Sequence, residues 1–296
     1  MLADLHRHLD GSLRPATLAE LAAAHGVDLP PDIRFTPGMG LGDALARFRI
    51  TLACLQTPEA VARVADEICQ DAAADGVGTL EIRFAPQLHG GASMAGIVDA
   101  ALEGAAGRAG IILCVLYGDA PELAEALVDL ARPRRGVVGL DLAGGPSPSH
   151  AFGMLDYAEA FATARTVGLG RTVHAGEGRR PAEIRLAIDR LHAQRIGHGV
   201  SLLEDPALTE QVARQEVVIE ACPTSNVHTG VIPRLGAHPL KRWLAAGVRA
   251  CVCTDNTLLS DVTASQELGR ISKALALSAA EHDAVLAHGH AGAFRR

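Results

Sequence analysis

Two histidine-containing fragments stand far apart in the chain, each where an apolar run gives way to glycine. The first carries His6 and His8, and the second carries His174 and Glu177 on either side of Gly176. Residues two apart in a strand project from the same face, so His6 and His8 direct two imidazoles at one point. The third imidazole comes from another strand end and brings a carboxyl group with it. This pattern predicts a metal site that activates water.

Two further polar residues end apolar runs of the same kind. His198 stands between two glycines, and Asp255 follows the last of the runs. Three of the imidazoles and one carboxylate give four ligands, a set that suits a single zinc ion with a water beside it. Glu177, at a turn from strand to helix and away from water, can hold a proton for delivery. Each signal is weak alone, since such residues often only cap or fill a fold, but six of them on one rim predict a catalytic site.

The cysteines and lysines limit the kind of metal site. Cys251 and Cys253 alternate with Asp255 on one strand face, but they lie at deeper levels, so they are predicted to be small core residues and not ligands. The two lysines, Lys241 and Lys273, both fall in helical sequence. A strand lysine that could bridge two metals is therefore missing, and we expect one zinc per chain.

Composition excludes several classes of protein. The formal net charge of −7 argues against nucleic acid as the main partner. No basic region with an apolar signal core precedes the first histidines, and no uncharged apolar stretch of about 18 residues occurs, so neither export nor a membrane span is expected. The six cysteines form neither a disulfide framework nor a CxxC pair, which predicts a reduced, cytoplasmic protein. A small-molecule partner is expected, and the oligomeric state is left open.

The elements that must position these residues alternate along the chain. Eight short apolar runs read as strands: Ala3–His8, Thr79–Phe84, Gly110–Leu116, Gly136–Leu142, Gly170–His174, Arg195–His198, Val217–Ala221 and Val248–Thr254. Helical sequence lies between them: Ala60–Ala74, Ser93–Ala109, Glu122–Ala131, Ala151–Thr166, Pro181–Gln194, Pro206–Gln215 and Leu235–Ala246. This order predicts an α/β fold, a closed (β/α)8 TIM barrel, whose chemistry lies at the carboxyl ends of the strands.

Two segments are longer than a minimal barrel requires. The stretch from about Pro15 to Thr57 is predicted to form an inserted helical flap over the barrel mouth, and Ser225–His238 is predicted to be a long loop on the same face. No linker divides the chain, so residues 1–296 are expected to form a single domain.

Short motifs along nearly the whole chain resemble those of the adenosine deaminases, within the metal-dependent hydrolase superfamily. The motifs are Leu5–Leu13, Glu81–Pro86, Asp141–Gly144, Thr172–Glu177, Arg195–Gly199, Cys222–Asn226, His238–Pro239 and Thr254–Asn256. The family fold is the barrel described above.

The resemblance implies a reaction and a role for each residue. The implied zinc ligands are His6, His8, His174 and Asp255. Glu177 is implied to protonate purine N1, and His198, assisted by Asp255, to orient and help deprotonate the attacking water. Substrate contacts are implied for the Gly144 backbone at purine N3 and for Asp10 and His8 at the ribose. Water would add at C6 of adenosine or deoxyadenosine, and ammonia would leave. The enzyme would be a hydrolase acting on C–N bonds in cyclic amidines, in purine nucleotide metabolism.

Two positions depart from the family pattern. Asn256 stands where many members have an aspartate that contacts purine N7, and its amide can still donate a hydrogen bond to N7. Tyr117 stands where many members have arginine. These changes keep the reaction type and leave the native 6-aminopurine open.

Several rival functions share part of the pattern. The nearest ones keep the chemistry and change the substrate to adenine, N6-modified AMP or aminodeoxyfutalosine. Asp10 favours a sugar over the bare base, while Arg7 and Arg14 keep a phosphate possible. A non-catalytic purine-binding barrel would need a lost ligand or a lost Glu177, and neither is lost. The missing strand lysine disfavours a phosphotriesterase or lactonase, and Cys222–Pro223 lacks the second cysteine of a cytidine-deaminase site.

Overall fold

The computed structural model describes residues 1–295, and eight parallel strands form its centre. The strands are β1 (Leu2–His8), β2 (Val77–Phe84), β3 (Gly110–Leu116), β4 (Val137–Ala143), β5 (Gly170–Ala175), β6 (Arg195–His198), β7 (Val218–Ala221) and β8 (Arg249–Val252). Each strand pairs with its neighbours in sequence order. The circle closes where Arg7 and Asp255 form a parallel bridge, with His8 N donating to Asp255 O at 2.8 Å. The predicted TIM barrel is confirmed.

Helices connect the strands and cover the outside of the barrel. They are α1 (Pro15–His25), α2 (Leu41–Cys54), α3 (Pro58–Ala74), α4 (Met94–Ala105), α5 (Pro121–Ala131), α6 (Ala158–Thr166), α7 (Ala182–Leu191), α8 (Pro206–Arg214), α9 (Pro223–His228), α10 (Leu240–Ala245), α11 (Ala264–Leu275) and α12 (Ala279–Gly292). In the described part of the chain, no helix combines the length and apolar character needed to cross a bilayer.

Local sequence explains several of these helix starts. The Thr57 side chain accepts a hydrogen bond from Ala60 N at the start of α3, where Pro58 occupies the first turn. Thr263 and Gln266 form a reciprocal capping box at the start of α11. Inside the barrel, β4 is buried along its whole length, as expected for a strand covered on both faces.

The segment between β1 and α3 contains two helices, α1 and α2. The α2 residues Leu41, Leu45, Phe48 and Leu52 lie along the wall of a cavity at the barrel mouth. Leu45 and Leu88, at that mouth, are among the large apolar side chains that stay exposed.

The prediction for Ser225–His238 was wrong in part, because this stretch is not all loop. Its first residues belong to the short helix α9, which Pro223 begins. The start of α9 is held by Glu267, whose carboxylate accepts hydrogen bonds from Thr224 N and the Thr224 hydroxyl. That partner comes from α11, more than 40 positions along the chain, so local sequence could not reveal it.

The last strand is also shorter than predicted. Regular pairing ends at Val252, whereas the apolar run extends to Thr254. Backbone bonding continues past the strand, because Cys253 N donates to Ala221 O at 2.8 Å and Asp255 N donates to His6 O at 2.8 Å. Asp255 is therefore held on the barrel by two backbone bonds with β1.

Candidate active site

A cavity of about 220 Å³ opens at the end of the barrel where the strands have their carboxyl ends. Of the predicted site residues, His8, Asp10, Gly144, His174, Glu177, His198, Asp255 and Asn256 line it, and Arg49, Ser225 and Thr229 are further polar lining residues. Of the predicted site residues, only His6 lies beneath the cavity, fully buried. A larger groove of about 590 Å³ runs between α1 and the start of α11 and contains none of the predicted site residues.

Three imidazoles meet at the floor of the cavity. Ligand atoms of His6, His8 and His174 all lie within 4.8 Å of one another. His8 Nε2 lies 3.3 Å from His174 Nε2. Asp255 Oδ1 lies 3.5 Å from His6 Nε2 and 3.4 Å from His8 Nε2. The structure therefore brings together the four side chains that were predicted as ligands.

The spacing and bonding of these atoms fit one metal ion. Two nitrogens bound to one zinc at about 2.05 Å and a tetrahedral angle lie about 3.3 Å apart, as His8 and His174 do. His6 Nε2 is buried without a hydrogen-bond partner in the protein. A buried ring nitrogen with no partner is costly in an apolar setting and is what a metal ligand looks like without its metal. The residues present fit the ion that the sequence predicted.

Carboxylates behind the imidazoles fix their orientation. His6 Nδ1 donates to Glu220 Oε2 at 2.7 Å, and His174 Nδ1 donates to Asp141 Oδ1 at 3.2 Å. With the proton on Nδ1, each ring presents Nε2 to the cavity as a lone-pair donor. Such outer carboxylates hold the tautomer and raise the basicity of metal-binding histidines.

A single arginine joins the two carboxylates. Arg83 is fully buried and donates to Asp141 Oδ2 and to Glu220 Oε2, both at 2.8 Å. Although burial favours the neutral carboxyl form, Arg83 and its neighbour Arg195 hold the pKa of Glu220 well below its usual range. The barrel interior thus keeps a charged network directly beneath the imidazole cluster.

Two site residues have a left-handed backbone. His198 has φ 66° and Asp255 has φ 61°, a region that non-glycine residues rarely adopt. His198 ends β6, and Asp255 follows β8 by three residues. Strain of this kind persists where the surrounding bonds fix the backbone, and it clusters at functional sites.

His198 is neutral and oriented by an amide. Burial lowers the pKa of His198 to about 4. Asn226, on α9, lies with its Nδ2 3.0 Å from His198 Nδ1. If Asn226 Nδ2 donates to His198 Nδ1, the ring proton lies on Nε2. If the amide were turned end for end, Asn226 Oδ1, which has no partner, would accept a hydrogen bond from Nδ1. Asn226 therefore selects which ring nitrogen of His198 carries the proton.

Glu177 lies beside this imidazole on the cavity wall. Its Oε1 accepts a hydrogen bond from the Thr229 hydroxyl at 3.2 Å, and its Oε2 lies 3.7 Å from His198 Nε2. The Glu177 residue is 6% exposed. A carboxyl group that borders both the imidazole cluster and the cavity can exchange a proton with a bound molecule.

Two polar atoms at the edge of the cluster lack partners in the protein. Asp10 Oδ1 and Asn256 Oδ1 are buried and unbonded, and both residues line the cavity. Desolvation raises the pKa of Asp10 to about 7. Gly11 permits the close approach of Asn256, because a Cβ there would lie 1.8 Å from Asn256 Oδ1. Buried groups without partners at a cavity are positioned to bind a ligand.

A buried cysteine also lies near the imidazole cluster. Cys222 Sγ lies within 4.8 Å of ligand atoms of His6, His198 and Asp255. Burial raises the pKa of the Cys222 thiol well above its usual value, so in the metal-free protein the group is a neutral thiol. Cys251 and Cys253 pack with Leu5 in a small buried cluster, as expected of core residues.

Four side chains that organise the site were not predicted from the sequence. They are Arg83, Asp141, Glu220 and Asn226. The signal for three of them was a charge inside a strand: Arg83 in β2, Asp141 in β4 and Glu220 in β7 interrupt apolar runs. A buried charge costs several kcal/mol unless it is paired, so it marks an interior network.

Comparison with known proteins identifies the family. The family model described as "Adenosine deaminase" matches residues 2–295. The chain belongs to the adenosine deaminase family. An adenosine deaminase of Enterococcus faecalis is 34% identical over 310 residues, covering 98% of this chain and 91% of the relative. The predicted class, a hydrolase acting on C–N bonds in cyclic amidines, is confirmed, and enzymes of this family are metal-dependent.

Solved structures of related proteins share the architecture along its full length. The adenine deaminase of Arthrobacter aurescens superposes with a TM-score of 0.88 at 26% identity, covering 100% of this chain and 94% of that one. The N6-methyl-AMP deaminase of Arabidopsis thaliana gives a TM-score of 0.86 at 25% identity, covering 100% and 92%. Members with this barrel thus carry the names of several 6-aminopurine deaminases, all with small-molecule substrates.

Proposed function

We propose that the chain hydrolyses the C6 amino group of a 6-aminopurine nucleoside, foremost adenosine and deoxyadenosine, to give inosine or deoxyinosine and ammonia. One observation carries the proposal: the imidazole cluster, Glu177 and the unpartnered atoms of Asp10 and Asn256 all border the same small cavity. The volume lies below the roughly 300–1,000 Å³ common for ligand pockets, which suits a small molecule better than a polymer.

The proposed cofactor is one zinc ion per chain. His6, His8, His174 and Asp255 would hold it, and three nitrogens with one carboxylate are donors that zinc prefers. When bound, zinc supplies Lewis-acid activation of water at neutral pH. Neither Lys241 nor Lys273 lies on a strand, so no lysine is placed to bridge a second ion.

Glu177 and His198 are the proposed proton-handling residues. Glu177 would deliver its proton to purine N1 as water adds at C6, so that the ring nitrogen does not develop a full negative charge. His198, neutral at pH 7, would hold the attacking water through Nε2, with Asp255 assisting. The C6–N6 bond then breaks and the amino group leaves as ammonia, taking the proton that the attacking water gave up through His198 and Asp255, while the hydroxyl proton of the adduct returns to Glu177 as the C6 carbonyl forms. Water is consumed and no oxidant or reductant is needed.

The remaining predicted residues are proposed substrate contacts. The Gly144 backbone would contact purine N3; its φ of 75° is the left-handed conformation that glycine adopts without strain. Asn256 would donate its amide N–H to N7. Asp10 and His8 would bind the ribose hydroxyls, and a sugar hydroxyl would give Asp10 Oδ1 the hydrogen bond it lacks inside the protein.

Another 6-aminopurine is the second candidate substrate, whether adenine, N6-modified AMP or aminodeoxyfutalosine. The two arginines that kept a phosphate possible are both engaged elsewhere. Arg7 is buried and pairs with Asp4 at 2.7 Å, and Arg14 pairs with Asp71 at 2.6 Å. A non-catalytic purine-binding barrel is disfavoured by the complete set of proposed ligands and by Glu177.

Further features complete the proposal. We infer a single domain over residues 1–296, with α2 serving as a flap over the barrel mouth, because its apolar face lines the cavity. A reducing compartment such as the cytoplasm suits the six buried, unpaired cysteines. The net charge of −7 disfavours nucleic acid as a partner.

A substrate panel tests the function. The metal-loaded protein is incubated with adenosine, deoxyadenosine, adenine, AMP, N6-methyl-AMP and aminodeoxyfutalosine, and ammonia release is measured. We expect a stoichiometric release of ammonia from adenosine and deoxyadenosine. A preparation that carries one zinc per chain and releases ammonia from none of them would contradict the proposal. A clear preference for another member of the panel would replace adenosine by that substrate.

A further inference from the structure

The α2 residues that line the cavity are apolar except for Arg49. We propose that Arg49 is a specificity-determining residue: it binds an anionic group, phosphate or carboxylate, at the 5′ end of the sugar, and so favours 6-aminopurine nucleosides that carry such a group over adenosine itself. The inference rests on the proposed function, because it takes the purine C6 to lie at the imidazole cluster.

Arg49 belongs to the face of α2 that lines the cavity. It lies four residues after Leu45 and three before Leu52, the spacings that place side chains on one side of a helix. Leu45, Phe48, Arg49 and Leu52 all line the cavity. The Arg49 residue is exposed, so its guanidinium is accessible to a molecule entering from the mouth.

Charge is divided across the cavity. The carboxylates that line it, Asp10, Glu177 and Asp255, all belong to the polar end, and Arg49 is the one arginine or lysine among its lining residues in the described chain. A cation on the outer wall and acids at the floor favour a molecule whose anionic group points away from the metal end.

Arg49 is also uncommitted, unlike the neighbouring arginines. Arg34 pairs with Asp32 at 2.9 Å and with Asp261 at 3.0 Å, and Arg47 donates to Asp32 O at 2.9 Å. Within residues 1–295, no ion pair or hydrogen bond of the Arg49 guanidinium is found. Its five N–H donors are therefore free to bind an anion, for which the planar guanidinium offers bidentate geometry.

The orientation of the base directs the sugar toward this wall. With C6 at the imidazole cluster, the proposed pose places N9 and its sugar on the far side of the purine, toward the α2 residues that line the same cavity. The 5′ end then leaves the polar floor and meets the side chains of α2.

Matched ligand pairs test the role of Arg49. Binding of inosine, inosine 5′-phosphate and inosine 5′-carboxylate to the metal-loaded protein is measured by calorimetry, and KM is measured for the corresponding adenosine compounds. The variants are Arg49→Gln, Arg49→Glu and Arg49→Lys. Arg190→Gln is the control, since Arg190 lies in the last turn of α7, is exposed and does not line the cavity.

The expected readout is the ratio of affinities for the anionic and the neutral ligand. Arg49→Gln should lower this ratio about tenfold, a typical loss for one hydrogen bond to a charged group, and Arg49→Glu should lower it further. Arg49→Lys should restore part of it, and Arg190→Gln should match the wild type. KM for the anionic substrates should rise more than kcat falls, because the contact is remote from the reacting carbon.

The outcomes separate this inference from the proposed function. An equal ratio in the wild type, Arg49→Gln and Arg49→Glu overturns the role of Arg49, even if adenosine is deaminated. A dependence on Arg49 for phosphate but not carboxylate, or the reverse, identifies the anionic group. If no 6-aminopurine releases ammonia while anion binding still depends on Arg49, the proposed function fails and the anion contact stands.

Discussion

Replacement of Glu220 by glutamine should weaken metal binding from behind the imidazoles. Glu220 is 0% exposed and accepts hydrogen bonds from His6 Nδ1 at 2.7 Å, Arg83 at 2.8 Å and the Thr172 hydroxyl at 2.9 Å. An amide supplies one acceptor oxygen in place of two. Its best orientation keeps that oxygen toward His6 and Arg83, which turns the NH₂ group toward Arg195, whose Nε lies 2.7 Å from Glu220 Oε1. A buried guanidinium would then face a donor.

Two magnitudes follow from this arrangement. Loss of an outer carboxylate behind a metal-binding histidine lowers metal affinity by about 10–100-fold. Breaking a buried ion pair by neutralising one partner costs about 3–5 kcal/mol of unfolding free energy. A chain of 296 residues has an unfolding entropy of about 0.6 kcal/mol/K, so Tm should fall by about 5–8 °C.

The assay is competition for zinc against a chelator of known affinity, followed by a thermal melt of the metal-free protein. Glu216→Gln is the matched control, because Glu216 lies just before β7 but is exposed and pairs only with Arg249 at the surface. The control should bind zinc as the wild type does and change stability by less than about 1 kcal/mol. If Glu220→Gln kept both the zinc affinity and the Tm of the wild type, the role assigned to the interior network would be refuted.

Three further changes test the reaction and the substrate contacts. Glu177→Gln should keep its zinc and lose about 10²–10⁴-fold in kcat, because the amide has no proton to deliver; a near-normal rate of ammonia release would exclude the role. Gly11→Ala should raise KM for adenosine, because the new Cβ would lie 1.8 Å from Asn256 Oδ1 and displace that side chain. The control Gly269→Ala on α11, where the new Cβ meets open space, should leave KM unchanged. Equal KM values for the two variants would contradict the N7 contact of Asn256. Asp10→Asn should raise the unfolding free energy at pH 8 and not at pH 3. The folded-state pKa of about 7 lies above the ordinary value of 3.8, so ionisation of Asp10 destabilises the fold as pH rises through that window. If denaturant unfolding gave the same pH dependence of stability for the variant and the wild type, destabilisation of the fold by ionised Asp10 would be excluded.

The sequence predicted the barrel, and the meeting of its polar strand ends at one rim, for a physical reason. Parallel strands share one direction, so a polar residue at the end of each apolar run must lie on the same rim. His8, His174 and His198 follow this rule directly, each at or next to the last residue of a strand. Side-chain alternation in β1 also placed His6 on the face of His8.

The position of Asp255 beside the other proposed ligands does not follow from side-chain alternation. The strand pattern treated it as the next inward residue of β8, but regular pairing stops at Val252 and the backbone turns left-handed at Asp255. Its place is fixed by backbone bonds with His6 and His8, across the seam between the first and last strands. Such a contact depends on barrel closure and cannot be read from one strand.

The supporting network was harder to predict, because its partners are remote in sequence. Arg83, Asp141 and Glu220 each look like an isolated charge in an apolar strand, and only the closed barrel shows that they neutralise one another. The helix α9 was missed for the same reason, since Glu267 from α11 holds its first turn. Short-range patterns identify the ends of elements, whereas the pairing of buried charges is a property of the fold.

The proposal of a single zinc site at the imidazole cluster is tested most directly by anomalous diffraction. Crystals of the zinc-loaded protein are measured at the zinc absorption edge to locate the metal. The proposed zinc site predicts one strong peak per chain, about 2.0–2.2 Å from His6 Nε2, His8 Nε2, His174 Nε2 and a carboxylate oxygen of Asp255. Two peaks of equal height, or a single peak bound elsewhere than at these four side chains, would contradict it.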